Sequence, residues 1–156
     1  MEDTQANFEK VIPTAWMVAY RRTFSDIPYS QEIFDKLEEI RKRDKLEDIP
    51  SELKKPELAP QFEARHKLID RLISQSNTGQ VLELASGFSS RGLVMSKDNG
   101  INYVEMDLPS VIQEKKQIVG EIALEESSNV PSNLYFVPGN VLDFESFERA
   151  VKHFDG

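Results

Sequence analysis

The chain has 156 residues, 39% hydrophobic and 9% aromatic, which is about one domain with enough apolar mass for a core. Its formal charge of −8 argues against a nucleic-acid backbone as main partner, because counterion release needs clustered Lys and Arg. There is no cysteine, His66 and His153 are isolated, no apolar run reaches membrane length, and Met1-Glu2-Asp3-Thr4 is no leader; these features exclude disulfides, offer no metal site and read as soluble and cytoplasmic.

In chain order, Pro13 opens a helix over 14–24 that carries Trp16, Met17, Val18 and Tyr20. Ser30 then suits the cap of a helix over 31–45, whose Ile33, Phe34, Leu37 and Ile40 follow helical spacing. Pro50, Pro56 and Pro60 make 48–61 a linker. A second amphipathic helix runs from Phe62 through Ala64, Leu68, Ile69, Leu72 and Ile73, and stops at Asn77-Thr78-Gly79.

From there the pattern alternates. A strand at Val81 to Leu84 leads into a loop around Gly87, and Ser89 or Ser90 can cap a short helix to about Lys97. A second strand covers 101–108, and Pro109 starts a helix with Val111, Ile112, Lys115, Ile118, Val119 and Ile122 on one mainly apolar face. The polar stretch 125–132 is a loop, 133–137 a third strand, and 145–154 a last helix. This strand–helix alternation behind an N-terminal helical part calls for an α/β fold with a parallel sheet and right-handed crossovers. The division expected is a helical lid and linker over 1–60 and a nucleotide-type binding domain over 61–156.

The segment Val81-Leu82-Glu83-Leu84-Ala85-Ser86-Gly87-Phe88-Ser89-Ser90-Arg91 and, about twenty residues on, Tyr103-Val104-Glu105-Met106-Asp107-Leu108-Pro109 have the parts of a cofactor cradle: an apolar strand, a small-residue loop, and a second strand ending in an acid. Glu83 points away from a dinucleotide. Pyrophosphate is held by backbone amides at a helix N-terminus, and an anion in the first strand opposes it. A cationic ligand with a ribose, S-adenosylmethionine, fits the pair Glu83 and Asp107; the plain alternative is a glutamate that pairs locally. Asp143, beyond the third strand, reads best as a turn or helix cap.

Taken together, Thr14-Ala15 with Ala19 and Arg21-Arg22, Ala64-Arg65-His66-Lys67-Leu68-Ile69-Asp70, the Glu83 segment, and the Asp107 segment with Lys115 resemble the leucine carboxyl methyltransferase superfamily. The resemblance includes its polyketide-type O-methyltransferase branch. It implies a Rossmann-like class I methyltransferase fold with an N-terminal helical lid, S-adenosyl-L-methionine as cofactor, and methyl transfer to a carboxylate or hydroxyl of a small molecule or peptide. By position, Arg65 corresponds to the arginine that holds the cofactor's carboxylate. Glu83, Ala85 and Gly87 would approach the methionine moiety, Asp107 would accept both ribose hydroxyls, and Leu108 would touch the adenine. Asn140 and Val141 would lie against the adenine, with asparagine where an acid is usual. No catalytic residue stands out.

The family's sheet has about seven strands, and this sequence resembles its N-terminal half, so a truncated three-strand parallel sheet is expected. Its first strand would then present an open apolar edge, which favours a homodimer or association with a missing C-terminal half. Trp16, Tyr20 and Tyr29 would serve as a lid or as plain core packing. Two other classes stay open: a noncatalytic binding or assembly module, and an NAD-dependent oxidoreductase, which should have glycines at Ala85 and Ser90.

Overall fold

The structure, a computed structural model, describes residues 12–98 and 100–154. The chain divides into two compact units, Met1–Leu68 and Ile69–Gly156.

The first unit holds helices α1 (Ile12–Arg22) and α2 (Ser30–Asp44), two 3-10 turns at Ser51–Leu53 and Pro56–Leu58, and the first part of α3 (Ala59–Ser76). Trp16 and Ala19 of α1 are buried, as are Ile33, Leu37 and Ile40 of α2. The spacing i, i+4, i+7 puts the α2 residues on one stripe, so burying them removes apolar surface from water without exposing any helical backbone. Tyr20 packs edge-on against Phe24 at 5.2 Å and also meets Phe34 at 5.5 Å.

Three local expectations need correction. Ser30 does not cap α2: Tyr29 precedes the helix with φ 63°, no side chain caps it, and Ser30 sits buried in the first turn. The proline-rich stretch is not a featureless linker, because Pro56 opens a 3-10 turn and Pro60 falls in the first turn of α3, where a missing N–H is no loss. The helix therefore starts at Ala59, ahead of Phe62. At its other end Asn77, at φ 51°, takes the left-handed position.

The second unit continues with β1 (Gln80–Leu84), α4 (Arg91–Met95), β2 (Asn102–Asp107), α5 (Pro109–Glu125), β3 (Leu134–Pro138), α6 (Phe144–Val151) and a 3-10 turn at Lys152–Phe154. The strands form a three-stranded parallel sheet in the order β1-β2-β3. Among the described residues β1 has β2 as its only strand neighbour. This is the α/β, Rossmann-like arrangement expected, with three strands.

Glu83 stands opposite Glu105, and Glu105 opposite Phe136. Side chains alternate across a strand, so Glu83, Tyr103, Glu105, Asp107, Leu134 and Phe136 share one face, and Leu82, Val104, Met106, Tyr135 and Val137 share the other. The second face is apolar: Val104, Met106, Val137 and Ala150 of α6 form a buried cluster, with Leu82, Tyr135, Val141 and Phe154 packed against it. Over the first face α5 buries Val111, Ile112, Lys115, Ile118, Val119 and Ile122.

Asn133, just before β3, donates its Nδ2 to the carbonyls of Ser96, Asp98 and Ile101 at 2.8, 3.1 and 2.6 Å, tying the approaches to β2 and β3 together. His153 stacks on Tyr135 with ring centroids 4.6 Å apart, and His66 is buried on α3. Among the described residues no helix is long and apolar enough to cross a membrane, and no cluster of His, Cys, Asp and Glu could hold a metal ion.

Candidate functional site

Parallel strands end on the same side of a sheet, so the segments leaving β1, β2 and β3 meet along one rim. The hydrogen bonds show this directly. Ser86 N–H donates to the Met106 carbonyl at 3.3 Å, and Gly139 N–H donates to the Asp107 carbonyl at 2.9 Å.

Asp107 is the centre of the rim. Its Oδ2 accepts from Gly87 N–H and its Oδ1 from Leu108 N–H, both at 2.7 Å. Each oxygen of a carboxylate has two lone pairs, so one remains on each for a further donor. Gly87 has φ 50° and Ala85 φ 52°, so the loop makes two left-handed steps between β1 and α4. Glycine takes such a step at little cost, whereas alanine loses roughly 1–2 kcal/mol there, so the surroundings hold Ala85 in place. Downstream, Ser89 N–H donates to the Ser86 carbonyl, and Ser89 Oγ accepts from Arg91 N–H at 3.2 Å.

The hydroxyls of Ser86 and Ser90 are buried and have no hydrogen-bond partner among the described residues. A buried hydroxyl without a partner loses the hydration it had in water, so these two are unsatisfied polar groups within the loop.

Glu83 is committed differently from the reading that places it against the cofactor. Its Oε1 is ion-paired with Arg91 Nη1, and its Oε2 accepts from Tyr103 Oη at 3.0 Å. Arg91 also sends its Nε to Asp70 Oδ1 of α3, at 2.5 Å. Burial works against the arginine's charge, but Glu83 and Asp70 outweigh it and leave its pKa raised. Burial, then the nearby Glu83, pushes the Tyr103 hydroxyl far above its ordinary range, so it stays a donor.

Glu105 is fully buried and has Lys115 Nζ at 2.6 Å from its Oε2. At this distance the two form a buried ion pair. Burial raises the Glu105 pKa to about 7, Lys115 partly offsets it, and Glu83 adds to it.

The remaining candidates are spread out. Leu108 is half-buried at the start of α5. Asn140 Oδ1 accepts from Leu142 N–H at 3.0 Å, so it shapes the turn after β3. Val141 packs on the apolar cluster. Asp143 is a helix cap, its Oδ2 accepting from Ser146 N–H at 3.0 Å and Ser146 Oγ at 2.6 Å. Arg65 lies on α3 in the first unit, exposed, with its guanidinium 5.3 Å from the Phe62 ring centre.

Sequence reasoning gave no role to Tyr103 and Glu105 or to the side chain of Arg91. One signal was present: Lys115 interrupts the apolar face of α5, and a buried lysine implies an acid opposite. Among curated proteins none matches the chain. The model of the family described as leucine carboxyl methyltransferase matches residues 22–152, most of the chain, and the chain belongs to that family.

Proposed function

We propose that the chain binds S-adenosylmethionine at the rim formed by 85–91, Asp107 and Leu108, and serves methyl transfer to an oxygen of a small molecule or peptide. The observation that carries this reading is the Asp107 carboxylate, which holds the loop by Gly87 N–H and keeps acceptor capacity on both oxygens. Family membership points the same way.

The cofactor supplies an electrophilic methyl group on a sulfonium. Asp107 takes the two ribose hydroxyls, and Leu108 and the turn at Asn140 lie toward the adenine. Ala85 and Gly87 bring backbone close to the methionine part. Glu83 approaches the methionine part from β1, its carboxylate held by Arg91 and Tyr103. An acceptor carboxylate is already a nucleophile at neutral pH, whereas a hydroxyl needs a positioned base. The rate gain would come from holding donor and acceptor in line.

Calorimetric titration with S-adenosylhomocysteine, S-adenosylmethionine and NAD tests the reading, the first two being expected to bind and NAD not. Binding of NAD with no response to either sulfur nucleoside would overturn it. Asp107→Ala should weaken S-adenosylhomocysteine binding by about 1.5–3 kcal/mol, the scale of hydrogen bonds to a charged group. Unchanged affinity in a folded variant places the nucleoside elsewhere.

A further inference from the structure

Three acids, Glu83, Glu105 and Asp107, share one face of the sheet, and all three reach 87–92, the end of the loop after β1 and the start of α4. Asp107 holds the Gly87 N–H, and Glu83 holds the Arg91 side chain. Glu105 lies against the residue next to Arg91. A Cβ built on Gly92 would stand 2.2 Å from Glu105 Oε1 and 2.8 Å from its carboxyl carbon, so only glycine lets the carboxyl group come this close.

The groups around Glu105 come from every layer that packs on it. Lys115 approaches from α5, Glu83 faces it across the register from β1, and Tyr103 and Asp107 flank it on β2. Gly92 covers it from α4, where the neighbouring Arg91 pairs with Glu83 and with Asp70 of α3, and β3 contributes the apolar Phe136. The Gly92 N–H and Lys115 both favour the ionised carboxylate. When Glu105 is neutral, that attraction is gone and the Lys115 ammonium stands buried without a counter-charge.

We propose that Glu105 is a positioning residue for the cofactor loop. Its carboxylate, drawn to Lys115 on one side and to the start of α4 on the other, holds 85–91 in the shape that takes the ligand, and protonation releases it. This rests on the reading of that loop as the cofactor site.

Protonation falls in the neutral range because burial lifts the carboxyl to about 7. Two effects of opposite sign follow. Between 4.5, the ordinary value, and about 7, the folded protein holds a proton that the unfolded chain has released, so conformational stability falls as pH rises. Ligand affinity depends on the ionised form and rises over the same range. A purely structural carboxyl group would lower stability without raising affinity.

Two measurements on the full chain test this. The first needs no ligand: the Gly92 backbone amide, followed by nuclear magnetic resonance through neutral pH, should titrate in the wild type and stay fixed in Glu105→Gln. A wild-type Gly92 amide that does not move overturns the proposal, whether or not the variant folds. The second compares S-adenosylhomocysteine binding one unit either side of neutrality. Affinity should be up to about fivefold higher on the alkaline side, the ratio expected for a group near 7 that changes its proton affinity by up to one unit on binding. Equal wild-type affinity on both sides overturns the proposal. A titrating Gly92 with no binding of S-adenosylhomocysteine at any pH supports Glu105's hold on the loop and counts against the proposed cofactor.

Discussion

The two faces of the β1-β2-β3 sheet are held by different physics. On one, Val104, Met106, Val137 and Ala150 exclude water by packing alone. On the other, Glu83 pairs with Arg91, Asp107 holds the Gly87 amide and Glu105 pairs with Lys115 of α5. Apolar packing is non-directional and tolerates repacking, whereas charge pairing depends on protonation and geometry. The face under the loop is therefore the one that can respond to solution conditions.

Lys115→Met is the sharpest way to break the contrast. It leaves the Glu105 carboxylate buried without its counter-charge, so urea unfolding in alkaline solution should show a loss of about 3–5 kcal/mol. The loss should shrink toward acid pH as Glu105 takes up a proton; the same loss at both ends would mean that Lys115 contributes packing only. Met106→Ala, on the apolar face, should lose about 2–5 kcal/mol through transfer and cavity terms. That loss should not vary with pH, and a clear pH dependence would mean the two faces are coupled. Gly92→Ala pushes a methyl group into Glu105 and into Leu134 Cδ1, 2.9 Å away, and should lose about 1–3 kcal/mol by overpacking, read from thermal unfolding. A neutral outcome would show that the carboxyl group moves aside freely.

The apolar face was the more legible of the two in the sequence. Alternation along Val104 and Met106 and the stripe Val111, Ile112, Ile118, Val119 and Ile122 specify strand and helix by period. Element bounds were less so, because they depend on single backbone choices. Tyr29 in the left-handed region moved the start of α2, and a tyrosine does not announce such a conformation, whereas Asn77, which tolerates it, ended α3 where the sequence placed the stop. At the rim, Asp107 and Gly87 were visible as motif residues, but the bond between them was not. Glu83 shows the opposite limit. Its charge was read as a sign of a cationic ligand, and the nearest cation is the chain's own Arg91, eight residues on, whose direction no periodicity reveals.

The position of β1 at one side of the sheet also sets a rhythm of proton exchange with solvent. In a parallel strand successive N–H groups point alternately to the two sides. Asn102 N–H reaches the Gly79 carbonyl at 2.8 Å, so the odd-numbered amides of Val81 and Glu83 face β2, and those of Leu82 and Leu84 face away from it. Deuterium should thus enter β1 at every second residue, first at 82 and 84, while its neighbours on β2, flanked by strands on both sides, fill only when the sheet itself opens.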